Sequence, residues 1–108
     1  MPTLTFEQLT DAAARVVRAL GSPEDEARTV AEALAGANLA GHDSHGIIRL
    51  EQYAQMVRNG DLMPGGPTTV VREAPCTALL DGGWNFGQVV AHRALDLALR
   101  KAREFGTG

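Results

Sequence analysis

Between positions 41 and 53 the chain reads GHDSHGIIRLEQY: two histidines, an aspartate, a serine, an arginine and a tyrosine, in a neighbourhood otherwise rich in alanine, leucine and valine. His45, Arg49 and Tyr53 are spaced i, i+4, i+8. On a single helix such residues drift only about 40° per step and share a face. A histidine titrates near neutral pH and can give a proton to an oxygen that develops negative charge. An arginine can hold a carboxylate through two parallel hydrogen bonds, and a tyrosine hydroxyl adds a donor at the end of a rigid ring. Ser44, directly before His45, can cap a helix or touch the imidazole. The set suits a small 2-oxo or 2-hydroxy acid, with its carboxylate on Arg49 and its carbonyl oxygen near His45. On spacing alone the stronger reading is structural: Ser44 as a plain cap, Arg49 paired with a surface acid, Tyr53 as an amphipathic boundary residue.

Other reactive groups carry less. His42 and His45 are three apart, but no third ligand with convincing spacing accompanies them, so no metal site is expected. His92 lies among apolar neighbours and is expected to be a hydrogen-bonded structural histidine. DGGWNFG, at 81–87, has three glycines but no G-x-G-x-x-G between a strand and a helix, and reads as a turn and a helix start. Cys76 has no thiolate-stabilising neighbour and reads as a small apolar residue.

The elements that must position these groups form an α+β chain. Thr5 and Gln8 make a capping box for a first helix, whose Phe6, Leu9, Ala13, Val16 and Leu20 recur at helical spacing before Gly21. Ser22 as N-cap, Pro23 at the first helical position and three acids start a second helix, which runs to about Leu39 and stops at Gly41. A third helix is expected from Ser44 or His45 to Asn59–Gly60, with Ile47, Leu50, Ala54 and Val57 as its apolar stripe. DLMPGGP then breaks regular structure. TTVVRE and CTALLDGG read as two strands. The last helix runs from about Phe86 to Phe105, with Ala91, Leu95, Ala98, Ala102 and Phe105 on one side and Gly106 as its stop. Residues 1–60 form a helical segment carrying the reactive stretch, and 61–108 a strand–strand–helix segment.

The 108 residues suffice for one domain with a modest core. A net charge of −3 disfavours nucleic acid as the main partner, and a helix-turn-helix role with it. One cysteine suits a reducing compartment, and the start shows no signal peptide, so a cytoplasmic protein is expected. No apolar run approaches the roughly 20 residues of a membrane span.

The stretch ANLAGHDSHGIIRLEQYAQMVRNGDLMPGG resembles the start of the malate/L-lactate dehydrogenase family of NAD(P)-dependent oxidoreductases. That family includes ureidoglycolate, sulfolactate and diketogulonate enzymes and is unrelated to the Rossmann-type lactate dehydrogenases. The likeness also takes in the early FEQL helix, the SHG..R...Y core, the glycine–proline loop and FGQVVAHRALDLALRKAREFG. It implies the N-terminal part of the family's non-Rossmann fold. It also implies hydride transfer between NAD or NADP and a small 2-hydroxy or 2-oxo acid. His45 and Ser44 would act at the substrate carbonyl, and Arg49 and Tyr53 would contact the substrate. Family members are much longer, so the chain is expected to be a truncated piece that is inactive alone, its second segment being the start of the main α/β part. The alternative is a stand-alone dimerisation or interaction module without catalysis. A homodimer is expected through the small-residue face of Ala27, Ala31, Leu34 and Ala37 and the stripe of the last helix.

Overall fold

The computed structural model describes residues 3–108. Helix α1 spans Phe6–Ala19 and α2 spans Glu24–Leu39. The capping box forms as the sequence requires: the Gln8 amide donates to Thr5 Oγ1 (3.1 Å) and the Thr5 amide to Gln8 Oε1 (3.0 Å). The two helices lie side by side as an antiparallel hairpin. Ala13, Ala14 and Val17 of α1 and Ala27, Val30, Ala31, Leu34 and Ala35 of α2 are all buried. Thr10 is also buried, because its hydroxyl donates to the Phe6 carbonyl within the same helix (2.7 Å). Outside the seam Arg28 pairs with Asp11 (2.6 Å), and that hydrogen bond raises the arginine pKa.

The start of α2 differs from expectation by one residue. Pro23 occupies the cap position with ψ 159°, and Glu24 is the first helical residue. Ser22 does not cap. It is turned inward, and its buried hydroxyl has no hydrogen-bond partner. The end of α2 is as expected, with Gly41 at φ +85° beyond Leu39.

A 3₁₀ turn at Asp43–His45 leads to α3, Arg49–Asn59, which Gly60 ends in the left-handed conformation. Strands β1, Thr69–Ala74, and β2, Thr77–Asp81, pair antiparallel with Ala74 opposite Thr77, and the register slips at Val71. Helix α4 spans Gly87–Phe105. Its Lys101 is buried, donating to the Ala74 carbonyl (2.8 Å) and pairing with Glu73 (2.8 Å), which fastens the hairpin turn to the helix.

The main core joins Val17, Val30 and Leu34 of the helical hairpin to Leu62, Phe86 and Val89, with Leu50, Tyr53, Met56 and Val57 of α3 packed on it. Ile47 and Leu50 cover a smaller cluster of Ala13, Ala14 and Ala31.

Three expectations need correction here. Ala27, Ala31 and Leu34 are covered by α1, so that face cannot be a dimer surface. The stripe on α4 is rotated from the one expected: Ala91, Leu95 and Phe105 are exposed and Ala98 and Ala102 half-buried, while Val89 enters the core. The rotation arises because the inward positions include Arg93 and Lys101, each with a partner across the molecule. His92 is exposed rather than a packed structural histidine. Among the described residues no helix is long and apolar enough to cross a membrane.

Candidate active site

The reactive stretch is held by Asn38, in the last turn of α2. Its Oδ1 accepts from the Ile47 amide (2.8 Å) and its Nδ2 donates to Asp43 Oδ1 (2.9 Å). Gly46 is buried between them in an extended conformation, φ −92° and ψ −152°. A Cβ on Gly46 would stand 2.2 Å from Asn38 Oδ1, so only glycine lets the loop pass this close to the amide. These contacts explain why α3 does not begin at Ser44 or His45. The Ile47 amide is taken by a tertiary partner and Gly46 is extended, so the helix starts at Arg49. His45 therefore does not stand on one helical rail with Arg49 and Tyr53. It precedes them on a turn.

Hydrogen bonds nevertheless bring three of the four residues together. Ser44 Oγ lies 2.9 Å from His45 Nδ1, which orients the imidazole and leaves Nε2 as the nitrogen open to a ligand. Arg49 Nε donates to the Ser44 carbonyl (2.8 Å) and Nη1 to Gln52 Oε1 (2.7 Å). Two of the five guanidinium N–H groups are thus engaged, leaving both on Nη2 and one on Nη1 for an anion. Among the described residues no acid pairs with Arg49; its partners are a carbonyl and an amide. Ser44 and His45 are exposed and Arg49 is half-buried.

Tyr53 is one turn further along α3 and faces the core side. Its ring meets Phe86 edge-on, with centroids 5.3 Å apart and planes at 74°. Its hydroxyl accepts from Gln88 Nε2 (3.1 Å). Tyr53, Met56, Trp84 and Gln88 line an open cleft of about 520 Å³ between α3 and the start of α4. Trp84, at the cleft, has φ +58° and is 76% exposed.

The cleft's far wall depends on a buried ion pair. Glu26, only 6% exposed, pairs with Arg93, and Asn85 Nδ2 donates both to Glu26 Oε2 (3.2 Å) and to the Gly66 carbonyl (3.1 Å). Asn85 Oδ1 in turn accepts from the Phe86 amide (2.7 Å). Sequence reasoning missed Asn38, Glu26, Asn85, Gln88 and Arg93. Glu26 is indistinguishable by type from its neighbours Glu24 and Asp25, and an amide at the end of a helix gives no signal of what it will bind.

Free backbone amides of a glycine-rich turn can hold the phosphates of a dinucleotide. The glycine turn at 82–83 does not provide them. A Cβ on Gly83 would stand 2.3 Å from the Pro67 carbonyl oxygen, and one on Gly66 would stand 2.5 Å from that of Gly83, so this turn is closed by backbone packing.

Comparison with known proteins places this arrangement. The malate dehydrogenase structure from Pyrococcus horikoshii OT3 superposes with a TM-score of 0.92 at 37% identity, over 97% of this chain and 30% of that one. Sulfolactate dehydrogenase from Methanocaldococcus jannaschii superposes with a TM-score of 0.88 at 36% identity, over 93% and 29%. The architecture is thus one found in hydroxy-acid dehydrogenases. Hydroxycarboxylate dehydrogenase B of Escherichia coli O157:H7 is 45% identical over 91 residues, covering 84% of this chain and 25% of that protein. A family profile described as malate/L-lactate dehydrogenase matches residues 4–108. The chain belongs to the malate/L-lactate dehydrogenase family, and it spans less than a third of the length of these relatives.

The clamp on the reactive loop leads to one expected result. Gly46→Ala forces the Asn38 amide away from the Ile47 amide and Asp43. One of these hydrogen bonds is part-buried and the other exposed, and losing such a bond costs about 0.5–1.5 kcal/mol. The shift of Ser44 and His45 should lower kcat roughly 10²-fold, as displacements near 1 Å can do. Thermal unfolding and steady-state kinetics on the natural-length polypeptide would check both, and unimpaired turnover would show that the clamp does not set the site.

Proposed function

We propose that these residues form the proton-transfer and carboxylate-binding part of an NAD(P)-dependent oxidoreductase acting on a small 2-hydroxy or 2-oxo acid. The observation that carries the reading is the Ser44–His45 hydrogen bond beside a guanidinium with free N–H groups. With Nδ1–H donating to Ser44 Oγ, the exchangeable proton of His45 resides on Nε2. The imidazolium gives that proton to the carbonyl oxygen of a 2-oxo acid as it is reduced, and the neutral ring takes it back from the alcohol in oxidation. One hydrogen bond serves both directions. Arg49 binds the carboxylate, and Tyr53 adds a donor one helical turn away. A bound nicotinamide would supply or receive the hydride, and no residue of this chain is assigned to hold it.

The relatives' names (malate, L-sulfolactate and hydroxycarboxylate dehydrogenases) share a 2-hydroxy acid core and support this substrate class. By itself the chain is read as inactive, since it spans less than a third of the length of its relatives and no described residue is assigned to the nicotinamide. The single cysteine fits a cytoplasmic location. A homodimer remains part of the proposal. Its apolar contacts would come from the exposed Val70, Val71, Leu79, Leu95 or Leu99, since Ala27, Ala31 and Leu34 of α2 are buried.

The test compares a 2-oxo acid with its amide in the natural-length polypeptide, following oxidation of NADH or NADPH. The acid should turn over and the neutral amide should be a far poorer substrate. Arg49→Lys should chiefly raise KM for the acid, because an ammonium cannot reproduce the planar two-point grip. Equal use of acid and amide, or an unchanged KM in the lysine variant, would remove Arg49 from the site.

A further inference from the structure

We infer that Gln88 is a positioning residue that turns Tyr53 into a hydrogen-bond donor toward the substrate; this rests on the reading of Tyr53 as a substrate contact. A phenol has one hydrogen to give and also accepts. Gln88 Nε2 donates to the Tyr53 oxygen, so the tyrosine's own hydrogen cannot point at Gln88 and must leave in another direction. Accepting one hydrogen bond also polarises the hydroxyl and strengthens it as a donor. The ring itself is held independently by its edge-on contact with buried Phe86. Ring position and hydroxyl direction therefore have separate causes: Phe86 sets the first and Gln88 the second. Tyr53 and Gln88 both line the open cleft, so the hydrogen that Gln88 displaces is available to a ligand there. An acceptor oxygen of the proposed acid substrate would take such a hydrogen bond, and Arg49 stands one turn away on the same helix.

The experiment is a double-mutant cycle on the natural-length polypeptide, with KM and kcat measured for a 2-oxo acid. Gln88→Met removes the amide donor while keeping a side chain of similar length. It should raise KM roughly 2–10-fold, the effect of one neutral hydrogen bond, with kcat little changed. In a Tyr53→Phe background the same change should have no further effect. Gln88→Glu should raise KM more, because the carboxylate accepts the hydrogen that the substrate would otherwise receive. Tyr53 is the single tyrosine of the sequence, so its Raman doublet can be assigned without labelling. Gln88→Glu should move that doublet toward the strongly donating form, with or without substrate. An equal KM change for Gln88→Met in both backgrounds, or none in either while Tyr53→Phe raises KM, would overturn the role of Gln88 alone. No KM change in Tyr53→Phe would remove Tyr53 from the substrate site and the inference with it.

Discussion

Replacing His45 with alanine should lower turnover 10²–10⁴-fold, the usual contribution of a positioned acid or base. The loss should appear in kcat for reduction and oxidation alike, because the proposed mechanism moves the same Nε2 proton in both directions. Cofactor binding should be largely retained, since the role proposed for His45 is at the substrate oxygen and not at the nicotinamide. Stability should change little, because the side chain is exposed and its one hydrogen bond is to the adjacent serine. Steady-state rates and an NADH fluorescence titration on the natural-length polypeptide provide the measurement. A variant with near-normal kcat would return His45 to the role of a turn residue.

The second large effect concerns stability. Glu26→Ala should destabilise the fold by about 3 kcal/mol, the lower end of what is lost when one partner of a buried pair is removed. The lower end applies because the Arg93 side chain remains 38% exposed and can be partly hydrated once its partner is gone. Asn85 also loses an acceptor, so the anchoring of Phe86 and the Tyr53 ring should loosen. Glu26→Gln, which keeps an oxygen in place, should lose less. Urea unfolding should show a lower midpoint at unchanged slope. A loss below about 1 kcal/mol in the alanine variant would mean that the pair is already solvated.

What the sequence revealed followed the range of each interaction. The Thr5–Gln8 capping box and the stops at Gly60 and Gly106 depend on neighbours within a turn, and the structure shows all three. The two strands were legible from β-branched runs bounded by turn residues. The start of α3 was not legible, because it is decided by Asn38, nine residues before the Ile47 amide it binds. The face of α4 was misread because polar residues with distant partners, Arg93 and Lys101, displace apolar ones from the inward positions. In the reactive stretch the residue types and the dehydrogenase resemblance were readable. The turn that sets His45 apart from α3 was not, since helical spacing assumes a helix.

The Asn38 clamp also bears on the order in which the chain folds. Its hydrogen bonds close loops of five and nine residues, whereas the Tyr53–Gln88 bond spans 35 and the Glu26–Arg93 pair 67. Closing a loop costs more entropy the longer it is, and contacts between distant segments are correspondingly slow to form. The loop carrying Ser44 and His45 can therefore close as soon as the end of α2 is helical. The cleft beside Tyr53 must wait for α4 to dock. During folding, the Asp43–His45 turn is therefore in place before the cleft beside Tyr53 takes shape.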